Sequence, residues 1–116
     1  MGKKFTFILS KTPYENSTAF TGARIALTSQ FEDHDTTLVL MEDAVFAAKA
    51  EQESALNMET SEVLSNLLEF GGKIFVCGMC LKERGIKTEE LIPKFEIMDM
   101  AKLVQAMADS DQTIFI

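Results

Sequence analysis

Thr36-Thr-Leu-Val-Leu-Met41 is an unbroken run, β-branched at its start, apolar to its end and closed by the acids Glu42-Asp43. A strand with one wet face would alternate polar and apolar residues. This run does not, and it predicts a strand covered on both faces, as in a parallel sheet. Upstream, Lys4 to Ser10 is rich in Phe, Thr and Ile and ends at the turn formers Ser10, Thr12 and Pro13, so it reads as strand one. Between the two strands, from about Asn16 to Phe31, apolar Ala19, Phe20, Ala23, Ile25, Ala26 and Leu27 recur at helical spacing after a Ser17/Thr18 start signal.

Downstream, a short helix is expected over Val45 to Ala50 and an exposed polar loop over Glu51 to Glu59. Thr60 is expected to open a helix with Glu62 and Glu69 outside and Val63, Leu64, Leu67 and Leu68 inside, stopped by Gly71-Gly72. Lys73-Ile-Phe-Val-Cys77 is strand three, followed by a short helix from Met79 or Cys80 to Gly85 and a helical turn at Thr88 to Leu91 before Pro93. Phe95 to Met98 reads as strand four, Ala101 to Ala108 as a helix and Thr113 to Ile116 as a last strand. Strands alternating with helices at this spacing need crossover connections. They predict an α/β chain, a three-layer α/β/α sandwich on a mostly parallel five-stranded sheet with helices on both faces. No boundary, repeat or low-complexity tract interrupts residues 1–116, so one domain is expected.

At 116 residues, 47 % hydrophobic and 25 % charged, the chain has the size and usage of one globular core, which sets it apart from disordered chains. Its net charge of −7, from 18 acids against 11 bases, would repel a phosphate backbone and argues against nucleic acid. The apolar start Phe5 to Leu9 is too short for a signal-peptide core, and Phe7 stands roughly where a myristoylation motif after Met1-Gly2 wants Ser or Thr. No apolar run approaches the ~20 residues that cross a bilayer. A cytoplasmic protein without a membrane partner is the expectation.

In a parallel sheet, reactive groups gather outside the carboxyl ends of the strands. Four strand ends, read as interior, nominate Ser10 with Thr12, Pro13 and Tyr14, then Glu42 and Asp43, then Cys77 to Cys80, then Met98 with Asp99. Cys77-Gly-Met-Cys80 concentrates the chemistry. Two cysteines three apart staple no distant parts of a chain, and a reducing cytoplasm keeps them as thiols. The reacting form is the thiolate, favoured at a helix N-terminus or beside a cation; Arg84, one turn on, supplies positive charge if it folds back. Gly78 is expected to let the backbone turn sharply and leave the sulfur accessible, with Met79 beside the thiols. The plainer reading makes both cysteines small buried hydrophobes.

No metal or cofactor is expected. Zinc needs four ligands, and beyond the thiol pair there is only His34, read as a solvated loop residue at the far end of the sheet, so metal is disfavoured unless subunits share it; an iron–sulfur cluster fails on thiolate count. Thr12-Pro-Tyr-Glu-Asn16 lacks the glycines with which a backbone cradles a dinucleotide or flavin phosphate. Glu42 and Asp43 read as acid–base candidates or, more plainly, as capping or solvated groups.

Val76-Cys-Gly-Met-Cys-Leu-Lys-Glu-Arg-Gly-Ile86 resembles the cysteine motif of the DsrE/DsrF-like family, which includes sulfur-relay subunits. Pro13-Tyr14 after strand one, the helix behind it, the length and the element order extend the resemblance to the whole chain. It implies a flavodoxin-like subunit that assembles as a homotrimer or hexamer and carries sulfur as a cysteine persulfide between donor and acceptor proteins. The family's carrier cysteine, eight residues before the Gly of the Arg-Gly pair (Arg84-Gly85), maps onto Cys77. Cys80 stands where some relay subunits have no cysteine. The pair is therefore open to relay, to resolving a persulfide as a disulfide, or to another role. If active, the chain is a sulfurtransferase-like carrier. The competing readings are a thiol–disulfide oxidoreductase using Cys77 and Cys80, with Pro93 resembling a later thioredoxin proline, and a non-catalytic oligomeric interaction module.

Overall fold

β1 (Lys4–Leu9) and β2 (Asp35–Leu40) pair in parallel along their whole length, Lys4 beside Asp35 and Leu9 beside Leu40. β3 (Lys73–Cys77) continues the sheet beyond β2, and β4 (Glu96–Met98) closes that side with Met98 beside Cys77. β5 (Gln112–Phe115) lies on the other side of β1. The order β4-β3-β2-β1-β5 is parallel throughout, where the sequence pointed to a mostly parallel sheet, and β4, read as interior, is an edge strand. The computed structural model describes residues 2–15, 17–52 and 55–116.

Alternate residues of each strand face opposite layers. On one face α1 (Thr18–Phe31) brings Ala19, Gly22, Ala23 and Ala26 against the sheet, small side chains that let the helix lie close; Leu9 is the neighbour of Gly22. Ser29 of α1 and Thr36 of β2 satisfy each other through a buried 2.7 Å hydroxyl hydrogen bond. α2 (Ala55–Glu69) lies beside α1, where Phe31 and Phe70 meet edge to face. On the other face Thr6 bonds Ser110 at the end of α4 (Met100–Asp109), and the Lys102 ammonium sits over the Phe75 ring. The expected helices on both faces are present, and Ile8, Leu38, Val39, Leu40, Ile74 and Val76 form the dry centre between them.

Several boundaries differ from the sequence reading. α2 begins at Ala55, not Thr60, because Ala-Leu-Asn-Met-Glu is a run of mostly strong helix formers whose polarity had suggested a loop. The expected loop residues Glu53 and Ser54, and Asn16 as a start for α1, lie outside the described residues. Ile25, counted in the inner stripe of α1, is exposed. A 3-10 helix spans Glu42–Ala48 where a helix over Val45 to Ala50 was expected, so Glu42 and Asp43 belong to its first turn. α3 runs Gly78–Glu83 and a second 3-10 helix covers Thr88–Glu90.

The glycine stops are as read. Gly71, at φ +97°, lets the Gly72 and Gly71 N–H groups return to the carbonyls of Leu67 and Leu68, and Gly85, at φ +69°, does the same for Leu81 and Lys82 through Ile86 and Gly85. α1 ends identically through a non-glycine, Asp33, at φ +67°. No helix among the described residues is long and apolar enough to cross a membrane.

Candidate functional site

β3 delivers Cys77 to the carboxyl edge of the sheet, and the chain turns directly into α3. Cys77 is the cap of that helix: at φ −65°, ψ 115° its Sγ accepts the N–H of Cys80 at 3.3 Å. A sulfur held this way is aimed by the backbone, since its donor is fixed by the next helical turn. The Cys80 Sγ, in turn, accepts the N–H of Glu42 at 3.1 Å. Each sulfur therefore has one backbone donor, one from α3 itself and one from the 3-10 helix that follows β2.

Arg84 does fold back. Its Nη1 donates to the Cys80 carbonyl at 3.2 Å and its Nε to Asp43 Oδ1 at 2.9 Å, so the guanidinium ties the end of α3 to the start of the 3-10 helix. The hydrogen bond to Asp43 raises the guanidinium above its ordinary value. Burial pushes the Cys80 thiol above its usual value, and the Cys77 thiol hydrogen-bonded to it pushes the same way; the Glu42 N–H and the Arg84 charge pull it down. Cys77 is 4 % exposed and Cys80 7 %, so both are nearly covered.

Cys77, Cys80, Arg84, Glu42 and Asp43 are thus joined by direct contacts. The Glu42 carboxylate is exposed; it is the Glu42 backbone, not its acid, that meets the sulfur. Asp43 is neither a cap nor merely solvated, but the partner of Arg84. Met79, between the thiols in sequence, is 69 % exposed. Gly78 does not have the left-handed backbone that a sharp turn implies; it is small because a Cβ there would stand 3.0 Å from Ile97 Cγ2. Gly85 ends α3 by its positive φ and has open space around it, so it shapes the helix end and does not line the sulfurs.

Ser10, Pro13 and Tyr14 lie at the end of β1, on the same sheet edge but two strands from β3. Pro13 is buried; the Tyr14 N–H bonds Thr12 Oγ1 at 3.2 Å, and partial burial raises its phenol above the ordinary value. Met98 is buried beside Cys77, while Asp99 caps α4 by accepting the Lys102 N–H at 2.9 Å. His34 does lie at the far end of the sheet, but it is not simply solvated: its Nδ1 accepts the Lys3 N–H at 3.0 Å and its ring stands edge-on to Phe5. Among the described residues no three His, Cys, Asp or Glu side chains group as metal ligands.

Fold and site together define a three-layer α/β protein with a wholly parallel sheet and a paired thiol at the sheet's carboxyl edge. Its likeness to known proteins is specific. The chain belongs to the DsrE/DsrF-like family, whose model matches residues 3–116. The protein MJ0989 of Methanocaldococcus jannaschii is 35 % identical over 111 residues, 96 % of this chain and 97 % of that one. MK0008 of Methanopyrus kandleri is 34 % identical over 110 residues, covering 95 % and 91 %. Among solved structures, the ychN protein of E. coli superposes with a TM-score of 0.90 at 26 % identity over 98 % of this chain and 99 % of its own.

Proposed function

We propose that this protein is a cytoplasmic persulfide carrier that takes up sulfane sulfur on Cys77 and passes it to an acceptor protein. The observation that carries the reading is a thiol at the carboxyl edge of a parallel sheet whose sulfur already accepts a backbone N–H, with a second thiol in contact with it. The family's association with sulfur relay supports the same conclusion. In the uptake step the Cys77 thiolate attacks the outer sulfur of a donor persulfide; the new S–S bond leaves Cys77 as the persulfide and releases the donor thiolate. In the transfer step an acceptor thiolate attacks that same outer sulfur and frees the Cys77 thiolate. Neither step needs an oxidant. Because Cys77 is nearly covered, α3 yields when the donor docks, and the exposed Met79 next to it is a point of contact. Assembly as a homotrimer or hexamer accords with apolar side chains left exposed on α4 and the edge strand β5, namely Met100, Val104, Ile114 and Phe115.

The contact between the two thiols favours a second reading, in which Cys77 and Cys80 cycle between dithiol and disulfide. Intact-mass spectrometry of reduced wild type, Cys77→Ser and Cys80→Ser after brief exposure to a persulfide donor separates the two. An added sulfur in wild type and Cys80→Ser, absent in Cys77→Ser, is expected of a carrier. Disulfide formation with no added sulfur in any variant would refute the carrier and leave the oxidoreductase.

A further inference from the structure

Glu42 occupies a backbone conformation that its side chain does not explain. Its φ is +50°, in the left-handed region that glycine adopts freely and glutamate seldom does. Its carboxylate is exposed, and no ion pair of Glu42 is among the salt bridges of the described residues. What the conformation accomplishes is to present the Glu42 N–H to the Cys80 sulfur at 3.1 Å. The next residue, Asp43, locks the same segment to α3 through Arg84, which also holds the carbonyl of Cys80. Two attachments, one on each side of Cys80, fix one sulfur against one donor.

We propose that the Glu42 backbone N–H is the group that stabilises the Cys80 thiolate when it forms, positioned by the Asp43–Arg84 pair, so that Cys80 is the nucleophile that resolves a persulfide on Cys77. The resolving step rests on the carrier reading; the Glu42–sulfur contact does not. In that step the Cys80 thiolate attacks Sγ of the Cys77 persulfide, the bond between the two persulfide sulfurs breaks, and a Cys77–Cys80 disulfide forms. The outer sulfur leaves with its proton and the bonding pair as hydrosulfide. Cys80 sulfur is oxidised by one unit as the leaving sulfur is reduced by one, so no further oxidant enters; an external dithiol returns the disulfide to the starting pair. The charged or titrating groups facing Cys80 are Cys77 and Arg84, with Asp43 and Glu83 behind the latter.

The first test reads the pH profile of Cys80 alkylation in Cys77→Ser protein, with Glu42→Gly and Glu42→Val added in turn. Glycine keeps the positive φ and the N–H but removes the acid, so the profile is expected to stay put. Valine disfavours that φ and swings the N–H away. Losing a hydrogen bond to a charged sulfur shifts the profile up by about one pH unit, or about tenfold slower labelling at neutral pH. An unchanged profile in Glu42→Val, or an equal shift in Glu42→Gly, overturns the proposal. Should Glu42→Val not fold, the Glu42 amide proton resonance in the Cys77→Ser protein is followed instead. It is expected to move downfield with the titration of Cys80, and a resonance indifferent to that titration overturns the assignment. The second test loads wild type and Cys80→Ser with one sulfur and follows hydrosulfide; release from wild type only is expected, and equal release from both removes Cys80 from the step. If Cys80→Ser takes up no sulfur, the carrier reading and the resolving step fall together, and the alkylation profile alone decides the role of Glu42.

Discussion

Gly72 joins α2 to the strand that ends at Cys77, and replacing it with alanine probes how tightly that junction is packed. Its φ lies outside the left-handed region, so backbone strain does not forbid alanine there; space does. A Cβ at Gly72 would stand 2.7 Å from Leu67 Cγ and 3.0 Å from the Leu67 carbonyl oxygen, and that oxygen is held by the Gly72 N–H at 2.9 Å. Leu67 is fully buried, so its side chain turns aside only by disturbing the core around it. Overpacking of this kind costs about 1–3 kcal/mol. Against it stands a gain of about 0.4–1 kcal/mol from a stiffer unfolded chain. The expected net loss is about 1–2 kcal/mol, a fall in Tm of roughly 4–8 °C for a chain of this size. Urea unfolding read by circular dichroism measures it, with an unchanged m-value. The decisive comparison is the same substitution in Leu67→Ala protein, where the clashing Cγ is gone: there Gly72→Ala should be neutral or stabilising, a coupling of about 1–2 kcal/mol. A Gly72→Ala that stabilises wild type, or that costs the same in both backgrounds, would falsify the packing argument.

Asp33→Gly should stabilise by about 0.5–1 kcal/mol, because Asp33 ends α1 at φ +67°, where glycine is unstrained; a loss of stability in urea would show that the Asp33 side chain matters more than its backbone. Reduced protein should lose stability as the solution is made alkaline. Cys80 has its folded pKa above its unfolded one, so its contribution is complete below the unfolded value of about 8.5 and is lost as pH rises through the folded one. The urea midpoint under reducing conditions should therefore decline above that point and decline less in Cys80→Ser; Tyr14, also shifted upward, adds its own decline only nearer the ordinary tyrosine range.

The fold was legible where the chain carries local, periodic signals. The run from Thr36 to Leu40, β-branched then apolar, is the central strand, and Gly71 and Gly85 end their helices because a positive φ is a demand only glycine meets freely. Boundaries were lost where polarity and propensity disagree. Glu59 and its upstream neighbours look solvent-bound but are good helix formers, and propensity won over polarity in setting the start of α2. Ile25 shows the converse: apolar character does not guarantee burial, and α1 turns its alanines inward because the close approach to β1 leaves no room for anything larger.

The site was legible in its sulfurs and not in its donors. A cysteine pair between a strand and a helix is a pattern of residue types, and Arg84 one turn later is a charge whose reach is plain from its length. The N–H that meets Cys80, however, belongs to a residue 38 positions earlier in the chain, and every non-proline residue has one. Nothing in the letter Glu says that position 42 adopts φ +50°, since glutamate is a poor marker for that region. The conformation follows from where β2 ends relative to β3, which the register Leu40 beside Val76 sets, and from Asp43 being drawn to Arg84 across the gap. Reading Glu42 and Asp43 as two candidate acids therefore found the right place for the wrong reason. One acts through its backbone and the other through a cation, and neither carboxylate touches a sulfur directly.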